Sequence, residues 1–421
     1  MFDIISHIID DFCCQSDCED IMKTKKIGAS LFQYIRKSDI LLWLDILAIS
    51  IYSLLLLKSV SRSVSATSNY ERTQLLAILL GLFGAVIITL IDYENIANLW
   101  PLLAVFSFVI MVYTVLFGEE VKGSNGVSAK AWIFIAGRSF QPSELVKILF
   151  IVTFAKHLDV IKKKNMLDQP LQLVFLFAHM ALPFLLCHVQ GDDGAGMVFL
   201  FMFLIMSFAA GVKLRYFAVL LLLFLVSIPI LWNFVLSDYQ RMRFFVVNHL
   251  DDPEVQNALG YQQYHGRTSI ASGGLWGFGL NKGKRVAANS VVFQESDFIL
   301  SVAGEELGFV GILLIFLLLL FLMFKTLRTA SQARDDLGRF ICFGFFGMIA
   351  IQSIINIAMC LALIPVMGVT LPFFSSGGSS AMCLYFGFGL VQNVYMHRRE
   401  GDGTRLVRKQ PLRYPIGKSS Y

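Results

Sequence analysis

Along the chain, long apolar runs alternate with short polar breaks. Ten runs approach or exceed the length of about 20 residues that a bilayer crossing takes. They are 40–58, 74–91, 97–117, 142–158, 171–189, 194–211, 215–235, 298–324, 339–364 and 377–396. In the fourth, Glu144, Lys147 and Lys156 flank or interrupt the apolar residues, so this helix is expected to face the protein interior rather than lipid. The eighth is long enough to require tilt, or an outer turn beyond the hydrocarbon. The pattern predicts an all-α polytopic membrane protein of about ten transmembrane helices, occupying residues 39–397 between an N-terminal segment (1–38) and a basic tail (398–421).

One connection breaks the run of short loops. Residues 236–296, between the seventh and eighth helices, are too long for a simple turn, and such loops are usually functional. The loop contains Arg241, Arg243, Tyr261-Gln262-Gln263-Tyr264 and Gly273-Gly274-Leu275-Trp276-Gly277-Phe278-Gly279. Its glycines do not make a nucleotide loop. A phosphate-binding loop ending at Gly283-Lys284 needs glycine where Phe278 stands, and Ser or Thr where Arg285 stands. No internal repeat is visible.

Composition agrees with the pattern. Of 421 residues 56% are hydrophobic and 15% charged, with a mean hydropathy of +0.66, far from an ordinary soluble domain. Lys and Arg cluster before the first helix, after the fourth (Lys162-Lys163-Lys164), at Lys213 and Arg215, after the eighth, and in the tail. By the positive-inside rule both termini are cytoplasmic and the long loop lies outside. The seven cysteines suggest no disulfide framework, and Cys13, Cys14 and Cys18 lack a second cluster that would complete a metal site. Residues 1–21 lack a basic leader followed by an apolar run. Because Met22-Lys23-Thr24-Lys25-Lys26 reads as a more natural beginning, residues 1–21 are expected to be dispensable or an over-extended start.

The candidate chemistry sits where the loop meets the eighth helix. Asp297 stands at that junction, and Glu305 and Glu306 lie roughly 12 Å deeper at ~1.5 Å of rise per residue. Ionisable groups in apolar segments are costly and by default functional. A helix N-cap is the plainer role for Asp297, and the two roles are compatible. Glu305 and Glu306 are adjacent and point about 100° apart, so at least one is expected to bond a neighbouring helix. Lys147 follows Glu144 by three residues, on one helical face, as a pyrophosphate contact or as half of a helix-fastening ion pair. Lys130 and Arg138 are outer-loop cations, and Trp132 is a site support or an interfacial tryptophan. Asp192 and Asp193 open the sixth helix, where capping explains one of them. A divalent cation (Mg²⁺ or Mn²⁺) between Asp297 and substrate phosphates is conceivable chemistry for these carboxylates.

Six pieces of sequence in order resemble the SEDS family (shape, elongation, division and sporulation), which includes RodA, FtsW and SpoVE. They are Lys130-Ala131-Trp132-Ile133 with Phe140-Gln141-Pro142-Ser143-Glu144; Gln190-Gly191-Asp192-Asp193-Gly194; Ser272-Gly273-Gly274-Leu275-Trp276-Gly277; Ser296-Asp297-Phe298-Ile299; Gly304-Glu305-Glu306-Leu307-Gly308; and Pro365-Val366-Met367-Gly368 running to Ser375-Ser376-Gly377-Gly378. The resemblance implies a peptidoglycan glycosyltransferase of the bacterial cytoplasmic membrane. It would polymerise lipid II, a disaccharide-pentapeptide on undecaprenyl pyrophosphate, with a class B penicillin-binding protein, in elongation, division or sporulation; no nucleic acid is involved. Asp297 matches the aspartate required for polymerisation and is the expected general base. Lys147, Lys130, Trp132, Gln141, Glu144, Asp192, Gln262, Glu305 and Glu306 are the expected substrate contacts. The chain departs from the family at Gly191, Asp193 and Ala195, at Ser376 where relatives usually have Tyr, and at Ala131 where a basic residue commonly stands.

Two rivals remain at this point. A lipid-linked precursor flippase would place its charges near the bilayer midplane in broken helices. A non-catalytic scaffold for a penicillin-binding protein would not need Asp297.

Overall fold

The computed structural model describes residues 34–64, 69–122, 128–135 and 137–398. The N-terminal cysteines, the Met22 segment and the basic tail after Arg398 lie outside the described residues. Among the described residues, ten long helices form where the apolar runs predict them: α1 (Ile40–Val64), α2 (Tyr70–Leu90), α4 (Trp100–Phe117), α5 (Pro142–Lys163), α6 (Pro170–Val189), α7 (Asp193–Ala210), α8 (Leu214–Ile230), α13 (Ile299–Gln332), α14 (Asp336–Cys360) and α15 (Gly378–Met396). The remaining helices are short: α3 (Tyr93–Asn98) precedes α4, and α9 (Asp238–Asn248), α10 (Pro253–Gln256), α11 (Tyr261–Ser272) and α12 (Lys284–Ala287) lie in the long connection. Eight of the ten long helices are apolar and long enough to cross a membrane; α5 and α15 are not among them.

Those two exceptions are the most polar of the long helices, and both are interior. Most of α5 is buried, including Glu144, Lys147 and Asp159, and α15 buries Gln392 and Asn393 with its apolar residues. Interior placement removes the need for a lipid-compatible face. α15 lies so close to α2 that a Cβ added to Gly389 would come within 2.7 Å of the Ala85 backbone. At the other extreme α8 buries none of its residues.

Two features depart from the expected picture. Residues 119–140 are not a plain loop but a three-stranded antiparallel sheet, β1 (Glu119–Lys122), β2 (Ser128–Ile135) and β3 (Arg138–Phe140), in the order β1-β2-β3. And the long connection does not stay clear of the bundle. α11 runs beside the first turns of α13, with Ile270 against Gly304 and Gly273 against the Gly304 carbonyl.

The reason is a break in α13. Gly308 has φ 66° and ψ −161°, a conformation essentially restricted to glycine. The break frees backbone groups that cannot be left unpaired at this depth. The loop after α11 satisfies them: Phe278 and Gly279 donate to the carbonyls of Glu305 and Glu306 at 3.1 and 2.8 Å, and the amides of Phe309 and Val310 donate to the carbonyls of Gly274 and Leu275 at 2.8 and 3.2 Å. The glycine-rich stretch is therefore the patch that seals a broken helix.

The cations placed on the cytoplasmic side by the sequence that fall in described residues gather at the end of the bundle away from Asp297. There Lys162 pairs with Asp336 at 2.8 Å, Arg334 with Asp92 at 3.2 Å, and the buried Lys325 with Asp39 at 2.5 Å.

Candidate active site

Asp297 occupies the last turn before α13. The turn begins at Phe293, whose φ of 58° lets its carbonyl accept from the amides of Ser296 and Phe298 at 3.1 and 3.2 Å. The three carbonyls before Phe298 are each gripped from outside. Ser376 donates its amide to Glu295 at 2.7 Å, Ser375 its hydroxyl to Ser296 at 2.6 Å, and Asn356 its Nδ2 to Asp297 at 2.7 Å. Asn356 also donates to Val369 at 2.8 Å, tying α14, the 365–376 loop and the Asp297 turn together. The backbone is fixed on one side and the carboxyl is left for other uses.

That carboxyl does not cap the helix. The N-cap of α13 is Phe298, without a side-chain capping bond. The expected capping role is corrected: the Asp297 carboxyl hydrogen-bonds Ser296 instead. Burial pushes its pKa up to about 7, with the charges of Glu295 and Asp192 adding to the effect and Ser296 opposing it. A carboxyl at that value exchanges protons near neutral pH, where general-base catalysis is most efficient.

Asp192 links Asp297 to the second group of expected residues. Its Oδ1 caps α7 by accepting from Ala195 at 3.0 Å, and its Oδ2 accepts from Gln141 Nε2 at 2.7 Å. Gln141 is bonded in turn through its amide to Ser379 Oγ at 3.1 Å. Burial raises the Asp192 pKa, against the Ala195 amide, Lys147 and Gln141. Lys147 is 1% exposed and its Nζ lies 2.8 Å from Glu144 Oε1. With no open face, Lys147 supports Asp192 electrostatically from behind. The expected direct pyrophosphate contact finds no geometric support.

The other expected contacts lie apart. Glu305 and Glu306 are each 1% exposed. Glu305 accepts from the Arg285 amide at 2.7 Å, and Glu306 from Ser59 of α1 at 2.6 Å and from the Gly283 amide at 3.4 Å, so they fasten the start of α12 and α1 to α13. Gln262 is buried and donates to the Val292 carbonyl at 3.5 Å, bracing the approach to Phe293. Lys130 is exposed and pairs with Glu120 at 3.6 Å, while its amide holds the Gln190 carbonyl at 2.9 Å. Trp132 lies in β2 opposite Glu119. The side chain of Arg138 is outside the described ones. Among the described residues no group of three or more metal-ligand side chains comes together. A divalent cation at Asp297 would therefore take most of its oxygens from substrate and water.

Two residues at the site were not singled out from the sequence. Glu295 is half-buried, with its pKa raised by burial and opposed by bonds from its own amide and from Tyr70. Arg243 of α9 donates to the Val366 carbonyl at 3.1 Å, two residues before Gly368, whose Cβ position is 4.0 Å from the Asp297 carboxyl. No carboxylate pairs with Arg243 among the described residues. The signal for Arg243 was a cation in a long functional loop; for Glu295, a second carboxylate two residues from the first.

The family model for FtsW/RodA/SpoVE, described as cell cycle protein, matches residues 37–400. The chain belongs to this family. It is 32% identical over 365 residues to a probable peptidoglycan glycosyltransferase FtsW of Trichlorobacter lovleyi, covering 85% of this chain and 92% of that one. It is 31% identical over 358 residues to the peptidoglycan glycosyltransferase MrdB of Escherichia coli K12, covering 85% and 93%. Among solved structures, a chain from a study of how a peptidoglycan synthase complex coordinates polymerization and crosslinking superposes with a TM-score of 0.72 at 26% identity, covering 86% and 99%. A mutant of the rod shape determining protein RodA from Thermus thermophilus superposes with a TM-score of 0.61 at 26% identity, covering 86% and 98%. Like that fold, this FtsW/RodA/SpoVE member is a multi-pass membrane protein.

Proposed function

We propose that the chain is a peptidoglycan glycosyltransferase that polymerises lipid II at the outer face of the cytoplasmic membrane, with both termini inside and a class B penicillin-binding protein as partner. The observation that carries the reading is the Asp297 carboxyl: half-buried, with its pKa raised to about 7, and free of the capping bond its position would favour.

The reaction forms a glycosidic bond when a sugar hydroxyl attacks an anomeric carbon and a lipid pyrophosphate departs. Asp297 takes the hydroxyl proton. A positioned general base contributes about 10²–10⁴ in rate. The donor brings its own leaving group, which removes any need for a nucleotide site. A single displacement with one base inverts the anomeric centre. Arg243 is the cation placed for the departing pyrophosphate, since it is tied to the loop that faces Asp297 and lacks an acidic partner among the described residues. Asp192, Gln141, Glu144 and Lys147 hold the floor of the site.

The names of the relatives support this chemistry, and the peptidoglycan synthase complex supports the partner. The flippase reading loses its best feature, because the break in α13 is sealed by backbone bonds to residues 274–279 rather than opened onto a path. The test is glycan synthesis by the purified chain with its partner from lipid II in detergent, where sidedness does not exist. Polymer is the expected product; a flippase or scaffold yields none.

A further inference from the structure

A cavity of about 250 Å³ opens between α4, α5 and α6. Its walls are apolar, with Ala104 and Phe108 from α4, Phe150 from α5 and Leu182 from α6. Phe108 and Leu182 are 45% and 47% exposed, so the mouth faces the bilayer. Pro183 lies inside α6. Having no N–H, it deletes the helical bond to the His179 carbonyl. Phe150 cannot swing in to close the gap, because it stacks on Phe154 at 5.0 Å and meets the His179 ring edge-on at 5.5 Å. The bottom is polar but satisfied, Thr153 Oγ1 bonding His179 Nε2 at 3.2 Å.

The upper end lies next to residues of the candidate active site along three chain segments. Met111, Val146 and Leu186 form it. The Met111 carbonyl accepts from Gln190 Nε2 at 3.1 Å, and the Asp192 amide donates to the carbonyl of Cys187, next to Leu186, at 2.9 Å. Val146 precedes Lys147. From Val146 to Thr153 the cavity follows α5 for about 10 Å at ~1.5 Å per residue. It is an apolar cavity that begins at the level of the polar cluster, with Val146 beside Lys147, and leads down along α5.

We propose that this cavity is the berth of the polyprenyl chain of the lipid-linked substrate, with the pyrophosphate above it on the side of Arg243. The identity of the chain rests on the glycosyltransferase reading. Hydrocarbon gains little hydrophobic free energy on leaving a bilayer for an apolar groove, so the berth selects by being joined to the head-group site. A lipid whose charged head is held there has this cavity as its adjoining apolar path.

Ala104→Trp and Ser107→Trp fill the cavity from α4 at half-buried positions. Two readouts separate the possibilities. The first is retention of undecaprenyl phosphate by the purified chain, followed by native mass spectrometry, which needs no catalysis and is also measured in Asp297→Asn. The second is polymerisation, with the partner present, of lipid II bearing an undecaprenyl tail or a single isoprene unit, which is too short to follow the ~10 Å cavity along α5. Retention and the long-tail kcat/KM are expected to fall about tenfold, equivalent to about 1.4 kcal/mol, with the short-tail kcat/KM unchanged. Equal loss on both tails, or undiminished retention, overturns the berth. So does a phospholipid that undecaprenyl phosphate fails to displace. Absence of polymer from the parent chain with retention intact sinks the glycosyltransferase reading and leaves the berth standing.

Discussion

Asp297→Asn separates chemistry from stability in one substitution. Burial lifts this carboxyl from an ordinary value of 3.8 to about 7. A shift of about 3 units corresponds to about 4 kcal/mol at ~1.36 kcal/mol per unit. Asp297 keeps some contact with solvent, which trims the figure to about 2–3 kcal/mol. The sign follows from a raised carboxyl pKa. The favourable contribution of the protonated form is whole below about pH 3.8 and is lost as pH climbs through about 7. Asparagine carries no charge to bury, so the variant should unfold several degrees above the parent at pH 8 and alongside it near pH 4. Its polymerase activity should fall by about 10²–10⁴. Thermal unfolding in detergent at both pH values and glycan synthesis from lipid II read the two effects. An active variant refutes the base assignment. An inactive variant with no pH-dependent gain in stability refutes the account of why the carboxyl is poised near neutrality.

Four further outcomes follow from the same geometry. Gly308→Ala would place a Cβ 2.4 Å from the Gly277 amide nitrogen at a glycine-only conformation, costing about 3 kcal/mol or more; the yield of monodisperse protein should collapse, and a normal yield would contradict the seal. Glu295→Gln removes a like charge beside Asp297, so the acid limb of kcat/KM, expected near pH 7 in the parent, should move down by about half a unit or more, while Glu295→Asp keeps it in place. Asn356→Ala orphans the carbonyls of Asp297 and Val369, costing about 1–3 kcal/mol; kcat should drop more than KM rises. Arg243→Ala should raise KM for lipid II with partial recovery in Arg243→Lys, and an unchanged KM would remove the cation from the site.

Much of the fold was legible because apolar length is a strong signal in a bilayer. The boundaries of the ten runs lie within a few residues of the helices at most ends, and the eighth is longer than expected because it continues to Gln332. What the sequence hid were features without a period. Of the three strands after α4, β1 and β3 span four and three residues, too few for alternation to register, and the eight of β2 do not alternate between polar and apolar throughout. The break at Gly308 sits inside an unbroken apolar run, and only a φ of 66° shows it. Glu305 and Glu306 drew attention as buried carboxylates, yet they fasten the start of α12 and α1 to α13. Lys147 drew attention for the same reason, and its partner proved to be its own helical neighbour. Intramembrane charge signals function without saying whether the function is contact or support.

The placement of Asp297 raises one more physical question, because a carboxylate at a helix N-terminus should be stabilised as the anion. The macrodipole and free amides there favour negative charge by about 0.3–1 kcal/mol, which lowers a carboxyl pKa by less than about one unit. The direction at Asp297 is the opposite, to about 7, so desolvation with help from Glu295 and Asp192 outweighs the helix. That outcome requires the carboxyl to be denied the capping bond, since a cap would hold the anion and leave a weak base. The three gripped carbonyls at Glu295, Ser296 and Asp297 enforce the denial. They fix the turn from the 365–376 loop and α14, so the side chain cannot fold back onto the amides of α13. Loosening any one grip should therefore lower the Asp297 pKa as the carboxyl finds the helix terminus, and activity near neutral pH should decline even though a larger fraction of the base is ionised.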